Sequence, residues 1–236
     1  MIYPSHRRSA AFTLIELLVV IGIIAFLAGA IGLAMRGSGS SATAIQSAQS
    51  TLSGLLASAR GQAALTGYNA ALFVNDNPGT SASPNDRYLR YCVIAVYNTT
   101  SNSWVAANDG FYLPKGAYVV PPDVASRVAA GEDFSGINVK GFDGAPSTVS
   151  VALNSATAEP WLVIGVSPLG GRVDATKTPP VASSGSVGYI VLSSADPQAP
   201  GSAGYPLLFN NAKNVRGISI SQYGVAGFIN DASGFQ

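Results

Sequence analysis

A single carboxylate, Glu16, stands inside an otherwise apolar run of 24 residues that begins at Phe12. A charge at the centre of a membrane span costs roughly 2.5–3.5 kcal/mol on insertion scales, so an acid kept there needs a cationic partner and a task. The remaining reactive inventory is thin. His6 is the one histidine and precedes the run, which removes Ser-His-Asp and Cys-His systems, the usual zinc sites and the commonest general base from everything after it. Cys92 lies in an apolar strand pattern and reads as an inert core thiol; as the only cysteine it forms no intramolecular disulfide. Glu132 and Asp133 are the one adjacent acidic pair, in a Gly-flanked loop that reads as a solvated turn. Asp174, Asp196 and Asp231 lie in polar loops where oxygen ligands could gather around calcium, yet no loop has the regular acidic spacing of a calcium motif. The Gly-rich stretches lack the endings that cradle phosphates. No enzymatic activity and no cofactor are expected.

The elements that position Glu16 follow from length and flanks. A helix over residues 12–35 is about 36 Å long, enough to cross a hydrocarbon core of about 30 Å. His6, Arg7 and Arg8 precede it and hold the short N-terminus on the cytoplasmic side, so the rest of the chain faces the periplasm or the outside. The chain has 236 residues, a net charge of +1 and only 11% charged residues. Loss of residues 1–11 would leave 11 of the 13 basic side chains against 12 acidic ones, a balance of −1. That near-neutral composition offers no footprint for nucleic acid.

Three readings compete for the N-terminal run. A basic start, an apolar stretch and Ala28-Gly29-Ala30 resemble a secretory signal peptide, but the run exceeds the usual apolar core and places Glu16 within it. A plain membrane anchor gives no reason for the acid. The string Ala11-Phe12-Thr13-Leu14-Ile15-Glu16 instead resembles the leader and first helix of type IV pilins and type II secretion pseudopilins. The resemblance implies that prepilin peptidase cuts between Ala11 and Phe12, that Phe12 becomes the N-methylated first residue, and that Glu16 is the assembly carboxylate. One departure stands out: the family prefers Gly before the cut, and this chain has Ala11. Many major pilins staple a C-terminal loop with a disulfide, which a chain with one cysteine cannot do; this favours a pseudopilin or minor pilin.

Gly37, Ser38, Gly39, Ser40 and Ser41 weaken helix after the run, each Gly costing about 1 kcal/mol relative to Ala. Helical spacing then resumes. Ile45, Ala48, Leu52, Leu55, Leu56, Ala59 and Ala63 form one apolar face, with Gln46, Gln49, Ser53 and Arg60 largely off it, and Gly67 is the expected cap. Beyond Gly67 the chain reads as strands broken by Gly, Pro, Ser and Asn. Candidates are 69–75, 88–97, 104–107, 118–120, 149–153, 161–166, 187–193, 215–221 and 225–228. Leu169-Gly170-Gly171-Arg172 and Tyr223-Gly224 are tight-turn candidates, and 78–84, 121–136 and 176–186 read as loops.

Three segments sharpen the resemblance. Ser58–Ala64, Val166–Arg172 and Val215–Gly224 are similar, in that order, to the helix end, a strand–Pro–Gly–Arg hairpin and the last strand of the H-type minor pseudopilins. The expected fold is α+β and pilin-like: a long N-terminal helix, transmembrane then amphipathic, packed on an antiparallel β-sheet domain. The expected segments are a leader over 1–11, a transmembrane helix over 12–35, an amphipathic half over 36–67 and a β-rich domain over 68–236. The expected function is that of a structural minor pilin or pseudopilin subunit in a type II secretion pseudopilus or type IV pilus. Its partners would be prepilin peptidase, other pilin or pseudopilin subunits, the inner membrane and the assembly platform. The alternative is an anchored or secreted extracytoplasmic β-rich binding module outside any filament.

Overall fold

Helix α1 (Gly39–Thr66) exists because its 28 residues keep one apolar stripe at steps of three and four. Ile45, Ala48, Leu52, Leu55, Leu56, Ala59 and Ala63 are all buried, and Gly67 closes the helix by donating its N–H to the Ala63 carbonyl at 2.9 Å. Helix already spans Gly39, Ser40 and Ser41, residues expected to weaken it. The computed structural model describes residues 39–80, 83–139, 149–151, 153, 157–183, 187–202 and 205–235. Among these no helix is long and apolar enough to cross a membrane. The expected leader and transmembrane helix, with Ala11, Phe12 and Glu16, lie outside the described residues.

Short strands follow in chain order. The first eight are β1 (Ala70–Asn75), β2 (Gly79–Thr80), β3 (Ser83–Pro84), β4 (Tyr91–Asn98), β5 (Ser103–Ala106), β6 (Phe111–Tyr112), β7 (Tyr118–Val119) and β8 (Val149–Val151). The rest are β9 (Glu159–Val166), β10 (Arg172–Asp174), β11 (Val181–Ala182), β12 (Val187–Ser193), β13 (Ala195–Pro197), β14 (Leu207–Phe209), β15 (Arg216–Ser221) and β16 (Ala226–Ile229). An eight-stranded antiparallel sheet runs β11-β10-β9-β1-β4-β5, with β6 on β4 and β8 on β9. A four-stranded sheet runs β16-β15-β12-β7, and β2–β3 and β13–β14 are separate ribbons.

The expected α+β architecture is therefore corrected. The described residues hold one α-helix, α1, on a mostly-β domain of two larger sheets and two ribbons. The physical reason lies in the pattern beyond Gly67: short Val, Ile, Tyr and Phe runs, each cut by a turn former, close into strands and leave no further helical stripe. Segments read as loops also pair, in β2–β3 and at β11.

Strand β1 sits between β4 and β9 and is buried along its whole length. Leu72, Val74, Ile94 and Ile164 join α1 and the four-stranded sheet's Ile190, Leu192, Ile218 and Ile220 in the main core. The alternate residues Phe73, Val93, Trp161 and Val163 join Trp104 in a second cluster. Period-two alternation over a sheet covered on both faces explains why β1 reads as an unbroken apolar run. The strand expected from Tyr88 begins only at Tyr91. Residues 86–90 form a turn in which Leu89, buried completely, adopts φ 55°, a conformation incompatible with an extended ladder.

Gln49 corrects the expected polar face of α1. It is 3% exposed, and its Nε2 donates to the Gly217 carbonyl at 2.7 Å and to the Ile229 carbonyl at 2.9 Å. One amide thereby ties the helix to β15 and β16, satisfying acceptors that burial would otherwise strand.

Candidate functional site

Arg60 lies on α1 seven residues after Ser53 and is half-buried. Its guanidinium stands against two turns from different sheets. Nη2 is 3.0 Å from the point a Cβ on Gly170 would occupy, and Nε is 3.7 Å from the corresponding point on Gly224. The turn after β9 is closed by Ser167 N–H to the Gly171 carbonyl at 2.7 Å, and the turn after β15 by Gly224 N–H to the Ser221 carbonyl at 2.8 Å. Arg172 N–H joins them by donating to the Gln222 carbonyl at 2.9 Å. A Cβ on Gly224 would meet the Gly170 carbonyl oxygen at 2.3 Å, and both glycines have positive φ, +85° and +67°. Only glycine lets these backbones touch.

The three segments that sharpen the sequence resemblance, 58–64, 166–172 and 215–224, thus meet at one place. Their separation along the chain hid this. At the tips of the adjoining turns, Leu169 is 99% exposed and Tyr223 is 68% exposed. Among the described residues Arg60 makes no ion pair or hydrogen bond.

The other sequence-predicted groups do not assemble into a reactive centre. Cys92 is completely buried in the main core, and burial pushes its thiol up to about 12, so no thiolate is available near neutrality. Glu132 is more than a solvated turn residue: its Oε2 accepts the Ala212 N–H at 2.7 Å and ties two loops together. Asp133 accepts the Ser135 N–H at 2.8 Å, and such hydrogen bonds hold its carboxyl below the usual range. Asp174 and Asp231 each accept from a hydroxyl residue two positions on, while Asp196 accepts from Asn210 Nδ2 at 2.6 Å. Three separate local motifs hold these three acids. Among the described residues no three His, Cys, Asp or Glu come close enough to hold a metal ion.

One charged cluster was not foreseen. Asp123 pairs with Arg127 at 2.7 Å, and the Arg127 guanidinium lies 5.4 Å from the centre of the Tyr88 ring. Burial first, then the Asp123 carboxylate, raises Asp76 to about 6, with Arg127 opposing. Asp76 gives the cluster a carboxylate that can accept a proton beside the Arg127 guanidinium. Its members sit after β1, in the turn before β4 and around a 3-10 turn (Val124–Ser126), so sequence distance concealed it. Beyond the end of α1 a groove of about 510 Å³ is lined by Tyr68, Val96, Tyr97, Asn98, Thr100 and neighbouring residues. It presents apolar, hydroxyl and amide groups, with no carboxylate, thiol or cation.

No curated protein and no solved structure matches the chain. A family model does match, that of the prokaryotic N-terminal methylation motif, over residues 6–32. The matched segment contains Ala11, Phe12 and Glu16. The chain carries the N-terminal methylation motif of type IV pilin-like proteins.

Proposed function

We propose that this chain is a minor pilin or pseudopilin subunit, of the H-type subclass, with no catalytic activity of its own and no cofactor. The observation that carries the reading is the match to the methylation motif over residues 6–32, spanning the Ala11–Phe12 junction and Glu16. In this reading prepilin peptidase removes residues 1–11 and the new amine of Phe12 is methylated. The apolar run then keeps the chain in the inner membrane with the β-rich domain on the periplasmic side, until the subunit enters a secretion pseudopilus or pilus on its assembly platform.

Glu16 supplies the assembly step. Its best partner is the terminal amine of Phe12, whose ordinary pKa is about 7.7–8.0 and which stays cationic after one methylation. Within one chain both groups lie in the first turn and a half. Between axially offset subunits the carboxylate of the incoming chain can meet the amine of the one already placed. Pairing removes two charges from hydrocarbon together, which couples extraction from the membrane to docking.

Mass-spectrometric sequencing of the mature N-terminus tests the reading. N-methyl-Phe12 is expected, and its loss in a strain without prepilin peptidase. A start at residue 31 points to a secreted module, and retention of Met1 to a simple anchor; either overturns the proposal. Glu16→Ala and Glu16→Gln are expected to be cleaved and inserted normally yet to stay out of the filament.

A further inference from the structure

Arg60 is the only charged residue in the 28 residues of α1, so no acid on its own helix can reach it at the three- and four-residue spacing. It is half-buried, it has no ion pair among the described residues, and the backbone it rests on has no side chains to shield it, because both neighbouring turns are glycine there. A guanidinium in that setting is partly stripped of water and retains unused donors. The group that matches it is a carboxylate, which can take two parallel N–H donors from the guanidinium fork. Beside it, Leu169 and Tyr223 project from the two locked turns at 99% and 68% exposure. Large apolar groups held that far into solvent on a rigid base suit burial by a partner, and Tyr and Arg are the residue types that anchor interfaces.

We propose that Arg60, Leu169 and Tyr223 form a docking site for a protein segment that carries a carboxylate flanked by apolar side chains. The occupant is set by charge complementarity: the site offers one unpaired cation against two glycine turns whose preceding residues, Leu169 and Tyr223, are exposed apolar side chains. The site does not rest on the filament reading, since a partner of a filament subunit or of an anchored module would meet the same three side chains.

The test places a photo-cross-linking residue at position 169 in the full chain in its native host and sequences the products. The expected product joins this chain to a protein peptide in which Asp or Glu lies beside apolar residues. Arg60→Glu is expected to lower the yield about tenfold or more, the scale of a lost charge-assisted hydrogen bond. Changing the identified partner carboxylate to Lys is expected to restore the yield in the Arg60→Glu background and not in the wild type. Arg60→Gln, with thermal unfolding measured alongside, gives the same comparison without introducing a negative charge. Absence of any product from the folded, exported chain, products with lipid alone, or a yield unchanged by both Arg60 substitutions would overturn the proposal.

Discussion

The Asp76 carboxylate makes stability of the β-rich domain depend on pH in a direction opposite to ordinary acid denaturation. Its ordinary value is 3.8, and burial, followed by repulsion from Asp123, raises it to about 6 in the folded state. The folded state therefore binds more protons than the unfolded chain between these two values, and stability falls as pH rises through that window. Integrating the linkage relation from pH 7.5 down to pH 5 gives a gain of about 1.4 kcal/mol from Asp76 alone. For a domain of this size that is an increase in Tm of about 3–5 °C. Asp123 is raised too and acts in the same direction, although its side chain is 53% exposed and solvent screens it. Asp133 and Asp231 are held below 3.8, so their stabilising contributions are lost only at lower pH, outside the window. The assay is thermal unfolding by circular dichroism at half-unit pH steps, on a chain truncated to begin at Ser40 and so lacking the apolar run. Asp76→Asn, which keeps the volume and removes the charge, is expected to abolish most of the slope between pH 5 and 7.5. A wild-type Tm that is flat or falls towards pH 5, or a slope that survives in Asp76→Asn, would refute the assignment.

Three further outcomes are expected in the same truncated chain. Gln49→Ala leaves the Gly217 and Ile229 carbonyls without their side-chain donor and should cost about 2–4 kcal/mol in urea unfolding, more than an exposed Gln on the same helix would. Glycine-to-alanine substitutions should have opposite signs at two positions. Gly224→Ala should cost about 2–5 kcal/mol, because its φ is +67° and the new Cβ meets a carbonyl oxygen, whereas Gly54→Ala, on open helix surface, should stabilise by up to about 1 kcal/mol. Cys92 should resist a soluble thiol reagent in the native state at pH 8 and react promptly in denaturant; rapid native labelling would contradict its place in the core.

By itself the sequence determined the features that local pattern controls. The motif at Ala11, Phe12 and Glu16 is legible because an acid in an apolar run is costly wherever the chain folds. The buried stripe of α1 follows from its 3.6-residue period, and β1, β9, β12 and β15 follow from apolar runs ended by turn formers. Tertiary structure alone decided the architecture: two sheets share one core with the helix, where a single sheet was expected. It turned Gln49 inward, because the polarity of a residue says whether it needs a partner and not where buried carbonyls will supply one. It raised Asp76, because desolvation and the Asp123 charge act through space from segments far apart in the chain. It brought Arg60 to Gly170 and Gly224, three positions spread over most of the domain, because backbones can touch only where sheet packing delivers two glycine turns to the same helix face.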